Sequence, residues 1–356
     1  MKKNKRASLY DPYLDTLGGG EKYILSVLKA LSEKGTEIDV FWNKNLSYEI
    51  RARFSLNFKI NWRPVEEISS SFRAWQALRH YDYFFYVTDG SYFASSAKKN
   101  FVYAMVPDKN LYRLDLVNKI KLHNYKFITH SNLTQTWLKK FGLKSEVILP
   151  CLDDKLLLGL SLKKERVILT VGRFFRHLHS KRQDVAIKTF KQLKKTSSLF
   201  EDYKLVLAGG FKKEDKSYFS ELKKLADSDK SIIFKTNVSI SELHKFYKRA
   251  SYYWHFAGYG VDEKKHPEAV EHLGITPLEA MASGCLTFCY SAGGPKETID
   301  NGKTGFLFKN DKELIKKMGY LEINPNRKKA IMERAKKDTK KEYNYSVFKK
   351  KVLNSL

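Results

Sequence analysis

Two kinds of apolar pattern alternate along the chain: short continuous runs, and longer stretches in which apolar residues recur every three or four positions. The runs predict buried β-strands, and the longer stretches predict helices with one apolar face. In the first half the pattern predicts strands at residues 7–10, 37–42, 83–87, 101–106, 127–130 and 146–149. Strands that alternate with helices are typical of parallel sheets covered by helices on both faces.

The first predicted helix covers residues 21–34, where the apolar positions fall on one face and Gly35 provides a stop. Gly18, Gly19 and Gly20 stand directly before it. The sequence therefore predicts a strand–turn–helix unit that is entered through a glycine-rich turn. The turn lacks the spacing of the Gly-x-Gly-x-x-Gly dinucleotide fingerprint.

The same pattern restarts in the second half of the chain. It predicts strands at 166–171, 204–207, 231–234, 252–256 and 286–290, and helices at 184–195, 218–226, 241–249 (capped by Ser241), from Pro277 and near Lys296. Two doubly wound sheets account for this better than one large sheet. We predict a first domain at 1–150, a linker at 151–164, a second domain at 165–325 and a basic helical segment at 326–356.

Charge changes the range of partners to consider. The 356 residues contain 66 Lys and Arg against 39 Asp and Glu, a net charge of +27, which favours an anionic partner such as nucleic acid, a membrane surface or phosphate. The excess is spread over both halves, and only 14 of the 66 cations are Arg, the residue that nucleic-acid readers use most. This favours a Lys-rich solvated surface over a nucleic-acid-binding protein, which remains a distant alternative.

Targeting and redox signals are weak. Three cysteines form no even framework and no Cys-x-x-Cys pair, which predicts a reducing compartment and no structural zinc site. The basic N-terminus lacks the apolar run of a secretory signal, and no apolar stretch is long enough to span a bilayer. We expect a cytoplasmic protein whose membrane contact, if any, is peripheral, on the cytoplasmic face.

The segment Glu271-His-Leu-Gly-Ile-Thr-Pro-Leu-Glu279 carries the most chemical information. Thr276 is a good N-cap and Pro277 suits the first helical position, so a helix is expected to begin here. Its free N–H groups and positive dipole end would suit a diphosphate. Thr276 and Glu279 also form a capping-box pattern, in which Glu279 would bind only its own cap. Glu271 lies outside any cap.

The Glu-x7-Glu spacing, in the form Glu-His-Leu-Gly-Ile-Thr-x-x-Glu-Ala-Met-Ala-x-Gly, resembles the donor-site signature of retaining GT-B glycosyltransferases of family 4. The Glu-His-Leu-Gly-Ile variant is similar to that of lipid-linked-oligosaccharide mannosyltransferases. The resemblance implies an α/β fold of two Rossmann-like doubly wound domains facing each other across a cleft, with a C-terminal helix crossing back to the first domain. It assigns the acceptor to the first domain and the donor to the second.

The resemblance also implies roles for individual residues around this segment. Glu271 would contact hydroxyls of the donor sugar, and Glu279 would contact the ribose of the nucleotide. The backbone of Gly274, Ile275 and Thr276 would surround the phosphates. These carboxylates are binding and orienting groups rather than an acid–base pair.

Cations after the first strand of the second domain complete the implied catalytic set. Gly172 and Arg173 end that strand, and Lys181 follows on a loop longer than is usual in the family. Charge builds on the diphosphate as the glycosidic bond breaks, so cations are required there. Arg173 and Lys181 are our preferred pair, and the longer loop leaves Arg176 and Arg182 as alternatives.

Further glycine-rich turns match the family's donor and acceptor sites. Gly209 and Gly210 end the next strand, and Gly-Gly-Pro-Lys-Glu297 resembles an element beside the donor, although Glu297 could equally complement a helix dipole. The resemblance implies that the Gly18–Gly20 turn borders the acceptor cleft and approaches the donor phosphate, with a tight turn between strand and helix as the simpler alternative. Many relatives carry a His near the reaction centre where this chain has residues 104–108; Asp108 or His130 could face the cleft, with packing the simpler role for His130.

Three segments resemble known functional motifs, but we predict no catalytic or metal-binding role for them. Residues 301–304 resemble the end of a P-loop but precede a strand, Asp227 and Asp229 belong to a surface turn rather than a metal site, and Cys285 and Cys289 belong to the core.

The resemblance therefore implies a retaining, metal-independent hexosyltransferase, and we expect no resident cofactor. The enzyme would move mannose or glucose from a UDP- or GDP-linked donor to a lipid-linked or glycan acceptor. A soluble sugar or sugar phosphate is the alternative acceptor. The Lys-rich segment after Arg327, with eleven Lys and Arg against three Asp and Glu up to Lys351, could bind an anionic membrane surface.

Overall fold

The computed structural model describes residues 4–158, 162–177 and 180–356. The chain divides into two compact units. Unit 1 contains Met1–Cys151 together with Tyr345–Leu356, and unit 2 contains Leu152–Asn344. The predicted linker at 151–164 includes residues 159–161, which lie outside the described residues.

Unit 1 is built on a seven-stranded sheet in which every paired strand is parallel. The strands are β1 (Arg6–Tyr10), β2 (Glu37–Phe41), β3 (Asn61–Arg63), β4 (Tyr83–Val87), β5 (Lys99–Tyr103), β6 (Tyr125–Thr129) and β7 (Ser145–Val147). Their spatial order is β3-β2-β1-β4-β5-β6-β7. The direction of winding therefore reverses between β1 and β4, which makes this pair the topological switch point of unit 1.

Helices cover both faces of this sheet. They are α1 (Gly19–Ser32), α2 (Ser47–Phe54), α3 (Ser71–Leu78), α4 (Leu116–Lys121) and α5 (Asn132–Lys140). On one face, Ile24 and Leu28 of α1 pack with Leu9 and Phe85. On the other, the core contains Leu78 of α3 and residues adjoining α4 and α5. Apolar side chains thus fill both faces, as the continuous strand runs predict.

Unit 2 repeats the architecture with six parallel strands in the order β10-β9-β8-β11-β12-β13. The strands are β8 (Glu165–Val171), β9 (Lys204–Gly209), β10 (Ile232–Thr236), β11 (Ala250–His255), β12 (Leu286–Tyr290) and β13 (Phe306–Phe308). The helices are α6 (Asp154–Leu157), α7 (Gln183–Thr196), α8 (Lys216–Ala226), α9 (Ile240–Arg249), α10 (Ile275–Ala282), α11 (Pro295–Thr298), α12 (Asp311–Glu322) and α13 (Pro325–Glu342). Here the switch point lies between β8 and β11.

The chain returns to unit 1 after α13. Helix α14 (Tyr345–Ser355) buries Phe348 and Val352 in the core that contains α1. The expectation of a C-terminal helix that crosses back to the first domain is therefore confirmed. No helix among the described residues is both long enough and apolar enough to span a membrane.

Some predicted boundaries were wrong for identifiable reasons. The helix assigned to Ser241 begins at Ile240, and the side chain of Ser239 caps it by accepting from the N–H of Glu242 at 3.2 Å. Both serines suit a cap, and only the backbone decides between them. The pattern also missed β3 and the helices α2, α3, α4, α5 and α12. The short edge strand β3 has no fully buried residue, so it lacks the apolar run by which the other strands were found.

Candidate functional site

The carboxyl ends of β8 and β11 meet at the switch point of unit 2, where open α/β sheets bind ligands. Gly172 and Arg173 follow β8, and His255 is the last residue of β11. Residues 256–274 then lead into α10. These elements place several sequence-predicted residues at one edge of the unit 2 sheet.

Lys181, Glu271 and His255 form one hydrogen-bonded chain at this edge. The Nζ of Lys181 lies 2.5 Å from Oε2 of Glu271, and Nε2 of His255 lies 2.8 Å from the same oxygen. The side chains of Lys181 and Glu271 are 13% and 14% exposed, whereas that of His255 is 1% exposed. Two of the predicted residues thus meet, and a third residue, His255, supports them from below.

His255 was missed by the sequence reasoning, which placed it within an apolar strand. Its signal was a polar residue at the carboxyl end of that strand, a position that faces the ligand edge of a parallel sheet. Because Nε2 contacts a carboxylate oxygen, we assign its proton to Nε2. The buried Nδ1 has no hydrogen-bond partner among the described residues. Burial is the largest influence on His255 and lowers its pKa; the hydrogen bond and charge of Glu271 raise it in part and the Lys181 charge lowers it, so the net direction is downward. The ring is therefore neutral at pH 7.

Helix α10 begins two residues earlier than predicted. Its N-cap is Gly274, at a φ of 96°, and Ile275 is its first residue. The prediction of Thr276 as N-cap and Pro277 as first helical residue was wrong, because glycine adopts the left-handed conformation that the loop needs at this point. The first turn still presents the N–H groups of Ile275 and Thr276.

The capping-box alternative for Glu279 was also wrong. Glu279 lies beyond the third helical position, and no side chain caps α10. Its Oε2 instead accepts a hydrogen bond from the buried Tyr247 hydroxyl at 2.9 Å. The hydroxyl of Tyr253 donates to Oγ1 of Thr276 at 2.8 Å. Two buried tyrosines thus hold the first turns of α10 from beneath.

Glycines at this edge permit close contacts between backbones and side chains. A Cβ on Gly209 would lie 1.9 Å from the carbonyl oxygen of Gly172, and a Cβ on Gly172 would lie 2.3 Å from Cγ of Lys181. The Lys181 side chain therefore crosses directly over Gly172. Gly210 has no atom within 4 Å of its Cβ direction among the described residues. Gly209 and Gly172 are required by packing, and Gly210 is not.

A second glycine pair fixes the backbone of Glu271. The N–H of Gly294 donates to the carbonyl of Glu271 at 2.7 Å. A Cβ on Gly294 would lie 2.3 Å from Cα of Leu273. The neighbouring Glu297, predicted beside the donor, is an exposed residue of the short helix α11. The Gly-Gly element thus has a structural role in holding the Glu271 loop.

The other predicted cations form different ion pairs. Arg173 contacts Asp215 and Glu214, each at 3.1 Å. The two alternative cations also form ion pairs, Arg176 with Glu221 and Arg182 with Asp184. Among these four cations, Lys181 is the one that contacts Glu271 in the described structure. His179, on the same loop, lies outside the described residues.

In unit 1 the glycine-rich turn begins α1. Gly18 is the N-cap, and its N–H donates to Oε2 of Glu21 at 2.6 Å. Gly19 and Gly20 are the first helical residues, and a Cβ on Gly20 would lie 1.8 Å from Sδ of Met105. The turn therefore lies against the segment in which many relatives carry a His.

The two alternatives to that His have local partners. The side chain of Asp108 caps a short turn by accepting from the N–H of Asn110 at 2.9 Å. Nδ1 of His130 lies 3.0 Å from the Tyr103 hydroxyl.

The prediction that Cys285 and Cys289 are buried is confirmed. Within the described ranges, no three His, Cys, Asp or Glu side chains gather as a metal-binding group.

Comparison with solved structures identifies the fold. The crystal structure of Anabaena HepE in complex with UDP and glucose has a TM-score of 0.70 at 16% identity, covering 99% of this chain and 100% of that one. A glycosyltransferase from Rickettsia africae has a TM-score of 0.74 at 16% identity, covering 100% and 98%. The chain therefore has the predicted GT-B fold, with two Rossmann-like parallel-sheet units.

Comparison with known sequences identifies the family. The family described as "Glycosyl transferases group 1" matches residues 159–338, just over half of the 356 residues. The chain belongs to this family.

Curated relatives are similar over part of the chain. One is the mouse GDP-Man:Man(3)GlcNAc(2)-PP-Dol alpha-1,2-mannosyltransferase, 26% identical over 54% of this chain and 39% of its own length. Another is the alpha-1,3/1,6-mannosyltransferase ALG2 of Rhizomucor pusillus, 30% identical over 42% of this chain and 36% of its own length. The alignments thus span about two fifths of these relatives.

Proposed function

We propose that the protein transfers a mannose- or glucose-type hexose from a UDP- or GDP-linked donor to a lipid-linked or glycan acceptor, with retention of configuration and without a metal. The observation that carries this proposal is the Lys181–Glu271–His255 chain at the switch point of unit 2. Beside it, the Glu271 loop leads directly into the N-terminus of α10. A carboxylate, a cation and a helix N-terminus are what a sugar diphosphate requires for binding.

The N-terminus of α10 would hold the diphosphate. The N–H groups of Ile275 and Thr276 have no acceptor within the helix, because the first turn of any helix leaves such donors free. The helix dipole adds a positive end at the same point. Glu271 would accept hydrogen bonds from the sugar hydroxyls, and Glu279 would bind the ribose. The nucleotide sugar is a co-substrate, and we propose no resident cofactor.

Lys181 and Arg173 would stabilise the leaving diphosphate. Negative charge grows on its oxygens as the glycosidic bond breaks, and each well-placed donor contributes about 3 kcal/mol to the transition state. Arg173 would exchange Asp215 and Glu214 for phosphate oxygens. Retention would follow if the incoming hydroxyl attacks from the face that the diphosphate leaves and gives its proton to the departing phosphate.

The relatives indicate the class of acceptor. Their names describe mannosyl transfer, and that of the mouse enzyme specifies GDP-mannose and a dolichol-linked oligosaccharide. We therefore place GDP-mannose first among donors and a polyprenyl-linked glycan first among acceptors. Such an acceptor lies in a membrane, which supports peripheral association at the cytoplasmic face. The Gly18–Gly20 turn of unit 1 would border this acceptor.

A donor panel tests the proposal. Hydrolysis of GDP-mannose, UDP-glucose and related donors, together with their stabilisation of the fold against heat, should identify one preferred donor. Glu271→Gln should lower turnover about 100-fold in a protein that still folds, with a modest fall in melting temperature because Lys181 loses its counter-charge. Glu268→Gln, on the same loop but outside the chain of contacts, is the matched control. Turnover near wild type in Glu271→Gln would remove that residue from the site.

The same assay tests stereochemistry and metal dependence. Proton NMR of the first product should show the anomeric configuration of the donor. Activity should survive EDTA, because the proposed cations belong to the protein. An inverted product or loss of activity that divalent metal restores would contradict these parts of the proposal.

A further inference from the structure

Unit 1 exposes an unusual set of apolar side chains. Phe72 and Trp75 of α3 are 70% and 50% exposed, and Leu116, Val117 and Ile120 of α4 are 75%, 60% and 65% exposed. Eight large apolar residues are at least half exposed in the described part of the chain, and these are five of them. Exposed apolar residues that cluster mark contact surfaces, whereas scattered ones do not.

The two helices lie on one side of the unit 1 sheet. The carbonyl of Trp75 accepts a hydrogen bond from the hydroxyl of Ser96. The carbonyl of the preceding Ser95 accepts one from the side chain of Asn124, just beyond α4, at 2.9 Å. This loop therefore joins α3 to the end of α4. We call the surface formed by Phe72, Trp75, Leu116, Val117 and Ile120 the α3–α4 face.

Folding does not explain these side chains. Helix α4 contains no buried residue, so its three apolar side chains add nothing to the core. In α3, Ala74 and Leu78 are buried in the core. The side chains of Phe72 and Trp75 lie on the solvent side of the helix. Moving each of these apolar side chains out of water would lower the free energy of the system.

The surroundings of α4 are strongly cationic. Residues 109–144 contain eight Lys and Arg but one acidic residue, Asp115, whose carboxylate caps α4 by accepting from the N–H of Asn118. The exposed cations are Lys109, Arg113, Lys119, Lys126, Lys139, Lys140 and Lys144. None of the eight cations forms an ion pair with a described residue. Their charge is therefore available to an external anion.

The basic C-terminal segment has more of its charge in ion pairs and fewer exposed apolar side chains, with one large one, Val347, at 47%. At least five of its eleven cations between Arg327 and Lys351 are in ion pairs, namely Lys328, Lys329, Arg334, Lys349 and Lys351. Its helix α13 has no large apolar residue that is exposed. The sequence pointed to this segment because its charge is dense, but the structure neutralises much of that charge.

We propose that the α3–α4 face docks unit 1 on an anionic lipid bilayer. Apolar and aromatic side chains enter the boundary between headgroups and acyl chains, while the surrounding Lys and Arg bind anionic headgroups. A bilayer surface offers both features together over a wide area. The inference rests on the proposed function, since a lipid-linked acceptor requires the enzyme at a membrane.

Vesicle co-sedimentation tests the docking. The protein should bind phosphatidylcholine vesicles that contain phosphatidylglycerol, and bind less at high salt because exposed charges are screened. Leu116→Ser with Ile120→Ser should weaken binding about tenfold or more. Ile323→Ser, at a residue 66% exposed in unit 2, is the matched control and should bind like wild type. Unchanged melting temperatures would show that the variants fold.

A charge series separates the two basic regions. Arg113→Gln with Lys119→Gln should weaken binding, whereas Lys340→Gln with Lys341→Gln on α13 should not. The reverse result would overturn the proposal, and so would a wild-type protein that binds no vesicles. Equal binding to vesicles that lack phosphatidylglycerol would also overturn it, as would a loss of vesicle binding in the Ile323→Ser control as large as that in the α4 variant. Donor hydrolysis by the same samples keeps this separate from the proposed function: it should be unaffected by the docking variants.

Discussion

The hydrogen bond between His255 and Glu271 places a neutral imidazole beneath the carboxylate that we propose for donor-sugar binding. The same Glu271 oxygen also accepts from Lys181, so two donors from different elements fix one carboxylate. Because Nδ1 of His255 is buried without a described partner, a second proton on the ring would be left unsatisfied. His255 is thus a positioning residue that donates to Glu271 without adding charge.

Substitution of His255 tests this role. His255→Ala should lower kcat/KM about 10- to 100-fold, because Glu271 loses one of the donors that orient it. His255→Gln keeps an N–H donor and should recover most of the loss. Steady-state kinetics and melting temperatures, measured together, distinguish a positioning role of His255 from a purely structural one. Equal kinetic losses in both variants, in proportion to their loss of stability, would indicate a purely structural role.

Asp11, at the carboxyl end of β1, is a second residue held in an unfavourable setting. One carboxylate oxygen accepts from the N–H of Tyr13 at 2.9 Å, and the other has no described partner. Burial, with the nearby charges of Glu21 and Asp15, raises the pKa of Asp11 to about 8. The folded protein therefore keeps a proton that the unfolded chain releases near pH 4.

Asp11 makes stability depend on pH. Between about pH 4 and pH 8 the folded state holds this proton and the unfolded state does not, so stability falls as pH rises. Asp11→Asn keeps the acceptor for Tyr13 and removes the charge, and it should stabilise unit 1 by about 1–3 kcal/mol at pH 9 but little at pH 4. Urea unfolding at both pH values measures this. An equal effect at the two values would exclude ionisation of Asp11 as the cause.

At the scale of elements, turns after the strands position the site. The turn after β8 carries Gly172 beneath Lys181, and the end of β9 comes within contact distance of it through Gly209. The glycine pair before α11 holds the Glu271 backbone in the same way. Helix α10 then begins directly after its N-cap Gly274, with its first two turns held by Tyr253 and Tyr247. The site is therefore held by backbone contacts that a side chain would prevent.

The two neighbouring glycines at the end of β9 provide a matched test. Gly209→Ala forces a methyl group against the Gly172 carbonyl and should cost about 1–3 kcal/mol of stability. Gly210→Ala meets no described atom and has no left-handed φ, so it should be neutral within about 0.5 kcal/mol. Chemical denaturation of both variants measures the difference. Similar costs at the two positions would contradict the packing explanation.

For the whole molecule, the last helix completes the first unit. Helix α14 lies against α1, and Lys349 forms an ion pair with Glu33 at the end of α1. Val352 and Phe348 are buried in the core with Tyr23. Unit 1 therefore cannot form its full core until α14 has been made.

Two valines in α14 test this dependence. Val352→Ala should destabilise unit 1 by about 2 kcal/mol, because it leaves a cavity in a core position with no exposed surface. Val347→Ala, at a residue 47% exposed, should cost much less. Hydrogen exchange of α1 should be faster in the first variant and unchanged in the second. Equal exchange in the two variants would mean that α14 contributes little to unit 1.

Much of the fold could be predicted from one sequence because its strands are buried on both sides. Continuous apolar runs such as Tyr83–Val87 and Leu286–Tyr290 coincide with β4 and β12. The short edge strand β3 and helix α4 could not be found this way, since neither has a fully buried residue. The start of α10 was misplaced because two residues in succession suited a cap or a first turn.

The sequence by itself determined the parallel architecture and the segment containing Glu271, because hydrophobic spacing and local motif chemistry are properties of neighbours along the chain. The return of the last helix to the first domain was implied by the resemblance to the glycosyltransferase family rather than by spacing. Only the tertiary structure decided that Lys181 and His255 meet at Glu271, that Tyr247 binds Glu279, and that the basic charge around α4 is unpaired while much of the C-terminal charge is not. Those outcomes depend on distances between residues far apart in sequence, which no local pattern encodes.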